Sequence, residues 1–311
     1  MLKISFISTG TTSSQTPVMA TVSYELVKSR IKEKLVEIPD FPLACVFDFS
    51  NMYSTLQYFA TDKILMRMGE LTSLTQEMKV SSHDLDWSKC SLPSKFVHKD
   101  TDEPLFFLMQ VFERGVSSFL SKSEILDLAR HIWEITQIIE KAGSEYIFFD
   151  LPLIQPRERN LYELAALLNS NLILGVIDTD KVNFDHMIQE IRVLERFLQD
   201  YSAYAVPPLV LSGLIFNKIS DKVLSEKWID QVMQNFPSYP IVGMIREDPE
   251  FIKIIAKYQI PTVDELFHKM RCAKEFQATA EMITQVAQDP QKVRLVSHNQ
   301  HEYLEKRIFS L

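Results

Sequence analysis

Short apolar runs closing on polar turns alternate with longer helical patterns through most of this chain, and that alternation constrains the fold more than any other feature. "LKISFIS", "LACVFDF" with its end at Asp48, "LFFLMQV" (Leu105 to Val111), "YIFFDLP" closing on Asp150, "LILGVID", "LVLSGLIFNK" and "PIVGMI" each read as a buried strand. Between them, "KSEILDLARHIWEITQIIEKAG" and "FDHMIQEIRVLERFLQDY" place apolar residues three and four apart, which is the period of an amphipathic helix. Gly143 stops the first of these in the usual C-terminal manner. Near-continuous apolar strands separated by helices predict an α/β fold, a doubly wound, mostly parallel sheet of roughly seven strands with flanking helices.

The pattern runs as one domain over residues 1–265. The stretch from Leu71 to Glu103 lacks a firm period and is expected to be an irregular insertion between strands. After Asp264 the chain reads as helical to about Ala287, so residues 266–311 form a helical C-terminal extension. A hydrophobic content of 46% supplies a sizeable core. The net charge of −8 disfavours broad nucleic-acid binding, which needs a basic face. The run "KSRIKEK" (Lys28 to Lys34) could touch DNA, but equally reads as a solvated helix end.

Three cysteines, Cys45, Cys90 and Cys272, lack C-x-x-C spacing, which argues against a zinc cluster or disulfide framework and fits a reducing cytoplasm. The first residues form a strand-like run, so no signal peptide is expected. No apolar run is long enough to span a bilayer.

Between the first strand and the first helix lies "FISTGTTSSQTPVM", Phe6 to Met19. It has the length and place of a phosphate-binding loop, in a chain with only 7 glycines. Glycines let successive backbone N–H groups turn toward phosphates, at φ angles that side chains resist. Here Thr11, Thr12 and Ser14 occupy the loop, Gln15 can donate a hydrogen bond but brings no charge, and a helix opening at Pro17 favours an anion. Taken alone, the same residues make a polar strand-to-helix turn capped by Ser and Thr.

Several stretches in one order resemble the MinD/ParA family of P-loop ATPases, over Lys3 to about Val263. The family's first motif is K-G-G-x-G-K-[ST]-T between a strand and a helix. In that register Gly10 stands at the signature lysine, Thr11, Thr12 and Ser14 replace glycines, Gln15 replaces the phosphate-binding lysine, and Thr16 keeps the magnesium-binding hydroxyl. "VFDFSNMYSTL" resembles the family's D-x-D segment, with Asp48 at the first acid and Ser50 in place of the Asp that orients water. "YIFFDLPLI" resembles D-x-P-x-G: Asp150 matches the acid near magnesium, Pro152 is kept, and Ile154 replaces the γ-phosphate-sensing glycine. Asn217, in "GLIFNKISDK", resembles the strand-end Asn that reads adenine. "PIVGMIREDPEFIKIIAKYQIPTVDEL" resembles the family's last strand, acidic-Pro loop and helix.

The resemblance implies a nucleotide site formed by Gly10, Thr11, Thr12, Ser14, Gln15, Thr16, Pro17 and Asn217, with magnesium at Thr16 and Asp150. Asp48, Ser50 and Asp150 are vestigial catalytic positions, since a hydroxyl at Ser50 accepts a proton poorly at neutral pH. The expectation is a degenerate member, a pseudo-ATPase that requires no cofactor and works as a scaffold or adaptor. The alternative is an atypical ATPase that uses Mg-ATP to switch between monomer and dimer. The implied partners are a second copy, in a homodimer, and the proteins of a positioned replicon or cell-envelope assembly. The ending "HEYLEKRIFSL" resembles the family's amphipathic membrane tail, with Tyr303, Leu304, Ile308, Phe309 and Leu311 on its apolar side. The favoured reading is a helix docked on its own domain or on a dimer partner; a peripheral membrane protein anchored by this segment is a further alternative, so the expected location is cytoplasmic with membrane association left open.

Overall fold

The computed structural model describes residues 1–9, 15–33, 42–49, 54–60, 91–111, 122–151, 162–179, 184–205, 207–257 and 269–296. Within them, strands and helices alternate as the apolar pattern requires. The strands are β1 (Leu2–Ile7), β2 (Ala44–Asp48), β3 (Leu92–Pro93), β4 (Phe106–Gln110), β5 (Tyr146–Asp150), β6 (Leu172–Asp178), β7 (Gly213–Ile219) and β8 (Ile241–Arg246). The helices are α1 (Gln15–Glu33), α2 (Ser54–Phe59), α3 (Lys122–Lys141), α4 (Tyr162–Asn169), α5 (Phe184–Ser202), α6 (Asp221–Ser225), α7 (Trp228–Asn235), α8 (Pro249–Ile255) and α9 (Ala273–Gln288).

The strands form one sheet in the order β3-β4-β2-β5-β1-β6-β7-β8, parallel throughout except for β3. The sheet therefore has eight strands, one more than the sequence pattern predicts. The extra strand, β3, is two residues long and pairs antiparallel with β4 at the sheet edge. It falls within the segment expected to be irregular, where Leu92–Pro93 is too short to show a period; residues 71–90 of that segment lie outside the described residues. Helix α1 starts at Gln15, two residues ahead of the expected Pro17, which is tolerated because the first turn needs no donor from proline. The described part of the C-terminal helix starts at Ala273, later than Asp264, and residues 258–268 lie outside the described set.

Helices cover both faces. One core packs α3, α4, α5, α6 and α7 against the sheet through residues such as Ile132, Leu167, Ile191, Val223 and Val232. The other packs α1, α2, α8 and α9 through Met19, Phe59, Phe251 and Phe276. Helix α5 buries Met187, Ile191, Leu194, Leu198 and Tyr201, a single stripe at helical spacing. Helix α1 is buried almost all round because it lies between the sheet and α9. Gly243 permits that outer layer: a Cβ there would meet Thr279 Oγ1 of α9 at 2.7 Å.

After α9 the chain returns to the edge of the sheet where β1 and β6 begin. Arg294 N donates to Asn171 O at 2.9 Å, and Asn171 Nδ2 donates to Arg294 O at 2.9 Å. The Arg294 guanidinium donates to Leu167 O, Leu168 O and Ser170 O, closing the C-terminal end of α4, and to Pro207 O. Burial holds this guanidinium below its ordinary range, at about 10.

Candidate functional site

The strand order places the site. After β1 the chain steps outward to β2 and β4, returns to fill the gap with β5, then crosses β1 to build β6, β7 and β8. In open α/β sheets such a reversal marks the C-terminal ends of the central strands as the place where ligands bind. The register brings Phe6 of β1 level with Asp150 of β5, and Asp48 of β2 level with Asp150. Asp178 of β6 is level with Asn217 of β7. Thus Asp48, Asp150 and Asn217, widely spaced in sequence, share one edge of the sheet.

At its centre the first turn of α1 is tied to the end of β5. Gln15 Nε2 donates to Asp150 Oδ1 at 3.0 Å and to Leu151 O at 2.7 Å, while Thr16 Oγ1 donates to Asp150 Oδ2 at 2.9 Å. The orientation of the Gln15 amide is unambiguous, because both partners are acceptors and only its NH₂ end can face them. Its two N–H bonds are therefore engaged, and its carbonyl oxygen, Oε1, is buried without a hydrogen-bond partner. Gln15 is 1% exposed and Asp150 1% exposed, so these are bonds in a dry environment, where a carboxylate with donors on both oxygens is well held. Ser8 Oγ and Thr9 Oγ1, at the end of β1, are also buried and unpartnered.

A second cluster lies across β1. Asn217 Nδ2 donates to Asp178 Oδ1 at 3.0 Å, and Lys218 Nζ pairs with Asp178 Oδ2 at 2.8 Å. Lys218 has φ 58°, a left-handed conformation that costs a non-glycine residue about 1 kcal/mol. Thr179 Oγ1 supports it by donating to the carbonyls of Asn217 and Lys218. One amide hydrogen of the expected adenine-reading side chain is thus held by Asp178.

Of the sequence-predicted site, the structure brings together Gln15, Thr16, Asp48 and Asp150, with Pro17 in the same helical turn and two strands, β1 and β6, between Asn217 and Asp150. Gly10, Thr11, Thr12, Ser14 and Ser50 lie outside the described residues, as do Tyr303, Leu304, Ile308, Phe309 and Leu311. The sequence reading missed Asp178, although it ends an apolar strand just as Asp48 and Asp150 do. It also missed Ser8 and Thr9. Among the described residues no helix is long and apolar enough to cross a membrane, and no cluster of three or more His, Cys, Asp or Glu could hold a metal.

The fit to Mg-ATP divides in two. The Thr16 hydroxyl and the Asp150 carboxylate are hard oxygen donors in direct contact, which suits magnesium. Gln15 does not suit the phosphates: it is neutral, its donors face Asp150 and Leu151, and its remaining atom is an acceptor.

No family model matches the sequence, and no curated protein matches it in sequence. Solved structures do match in shape. The chain is similar to MinD in the MinC:MinD cell division complex of Aquifex aeolicus, with a TM-score of 0.61 at 14% identity over 92% of this chain and 96% of that one. It is similar to Cyanothece McdA in an ATP complex, with a TM-score of 0.61 at 11% identity over 96% and 99%. A plasmid partition protein of Borrelia burgdorferi aligns with a TM-score of 0.57 at 11% identity over 91% and 98%.

Proposed function

The fold is MinD/ParA-like, and from that premise we propose that the chain is a positioning or partition protein that acts as a non-hydrolysing scaffold. Fold alone does not carry function, so the reading rests on the site. The observation that carries it is the Gln15 amide: at the place of a phosphate-binding lysine, both its donors are bonded to Asp150 and Leu151. A positive charge there would stabilise transferring phosphate; a carbonyl oxygen opposes it. The scaffold would work through protein contacts, as a dimer and as a component of a larger assembly. Support for the partner reading is that one structural neighbour is a MinC:MinD complex.

A second reading, an atypical ATPase, is favoured by the retained Thr16–Asp150 pair and by the neighbour solved with ATP. Phosphate release at millimolar Mg-ATP separates the two. The scaffold reading expects no turnover above background. Turnover abolished by both Thr16→Ala and Asp150→Asn would overturn it.

A further inference from the structure

The opposite end of the sheet, where β1 and β6 begin, holds two buried cations around one asparagine. Asn171 N donates to Lys3 O at 2.8 Å, and Asn171 Oδ1 accepts from Lys3 N at 2.9 Å. The same residue exchanges two further bonds with the Arg294 backbone, each at 2.9 Å. Side chains alternate along a strand, so Lys3 shares a face of β1 with Ser5. Ser5 Oγ lies 2.6 Å from Ser170 Oγ, and Arg294 Nη1 donates to Ser170 O at 3.3 Å. Lys3 and Arg294 are thus both anchored at the residues that follow α4, and the Arg294 charge acts on the Lys3 ammonium.

Both cations are dry, with Lys3 5% exposed and Arg294 7%. Among the described residues neither has a carboxylate in ion-pair contact. Glu140 acts on Lys3 from α3, but its Oε1 is bonded to the Met1 amino group at 3.1 Å. Lys3 Nζ makes one long bond, 3.4 Å to Thr136 Oγ1, and the hydrogen of that hydroxyl goes to Trp133 O. Arg294 Nε and Nη1 reach carbonyls, whereas Nη2 is buried without a partner. Buried charges are ordinarily paired, and an unsatisfied ionised donor is costlier than a neutral one. A metal ion does not fit, because both side chains are positive and offer only N–H groups. Water would satisfy the donors and leave the charge. A small oxyanion does both, and two cations match a charge of minus two.

We propose that this corner binds a small tetrahedral oxyanion, sulfate or phosphate, between Lys3 Nζ and Arg294 Nη2. It lies at the other end of the strands from Asp48 and Asp150, so the proposal is independent of what occupies the Gln15 site. The occupant would also brace the segment after α9, which Arg294 holds against the end of α4.

The test is a calorimetric titration of the full-length chain with sodium sulfate, against sodium chloride at matched ionic strength. One sulfate per chain is expected, and phosphate, titrated separately, ranks the two oxyanions. Lys3→Met keeps the length of the stem and removes a charge from a dry place, so the variant should fold. It should weaken sulfate binding about tenfold or more. In thermal melts at ten times the dissociation constant, the parent should gain about 2–4 °C beyond the salting effect of sulfate that the variant shares. Burial holds the Lys3 ammonium down to about 8, with Glu140 opposing and Arg294 adding to the shift. Sulfate affinity should therefore fall as pH rises above about 8 in the parent and stay flat in Lys3→Met. No saturable binding up to about 10 mM sulfate, or binding unchanged in Lys3→Met, would overturn the proposal. Binding lost in Thr16→Ala and kept in Lys3→Met would place the anion beside Asp150 and overturn it equally. Nucleotide is absent throughout, so this failure is distinct from a failure of the scaffold reading.

Discussion

Replacing Gln15 by leucine tests the bond that holds the first turn of α1 to β5. The side chains are close in volume, so the change removes polar contacts more than packing. It deletes one hydrogen bond to a carboxylate, at 3.0 Å, and one to a backbone carbonyl, at 2.7 Å. Bonds to charged groups contribute about 1.5–3 kcal/mol and neutral ones about 1 kcal/mol. Against this, leucine also removes the unpartnered buried oxygen, which relieves about 1–3 kcal/mol. The net expectation is a destabilisation of about 1–2 kcal/mol, because Asp150 loses a donor it cannot replace from water while it remains 1% exposed. Urea denaturation gives the number, read as a shift in midpoint at constant slope. A double-mutant cycle with Asp150→Ala isolates the pair, with an expected coupling of about 1.5 kcal/mol. The sign discriminates. If the Gln15 amide were turned toward the site as a phosphate donor, leucine would be neutral or stabilising and the coupling would vanish. Either result would refute the geometry on which the functional account depends.

Three further outcomes follow from features away from the site. Arg294→Met should destabilise the fold by at least ~3 kcal/mol, since it strips donors from four backbone carbonyls at the end of α4 and near Pro207; guanidinium titration measures this. Gly243→Ala should cost about 1–3 kcal/mol, because the new Cβ would sit 2.7 Å from Thr279 Oγ1, and Gly243→Ala/Thr279→Ser should recover part of the loss. Glu163, 2% exposed at the start of α4, has its carboxyl pushed up to about 8 by burial. The folded chain therefore holds this proton where the unfolded chain has released it, and stability falls as pH rises from about 4.5 toward 8, by at most ~1.4 kcal/mol per pH unit. Glu163→Gln should flatten that dependence, so the variant gains on the parent as pH rises; parallel slopes from pH ~5 to ~8 would show the carboxyl is not held neutral.

Much of this architecture was legible because the central strands are buried on both faces and so consist of nearly continuous apolar residues. β2 and β5 each close on an aspartate, which marks the edge where the site lies. The strand β3 was illegible because two residues have no period, and α6 and α7 were passed over between the last two strands. In the site, the missing charge at Gln15 could be read directly from residue type. Where its amide points could not, since Asp150 lies 135 positions away and only the pairing of β1 with β5 brings them into contact. Asp178 carried a signal that went unused, the same apolar run ending in Asp. Arg294 carried none: it sits in a polar segment after the last helix, and its role comes entirely from the carbonyls it reaches.

The central claim is that the chain keeps the architecture of a phosphate site without its chemistry. Its most direct test is a calorimetric titration of the chain with Mg-ATP while its mass in solution is followed. The account expects no saturable heat up to about millimolar nucleotide, the weak limit set by a binding free energy of ~4 kcal/mol, and no change in oligomeric state. Saturable micromolar binding, with a nucleotide-dependent shift from monomer to dimer, would contradict it.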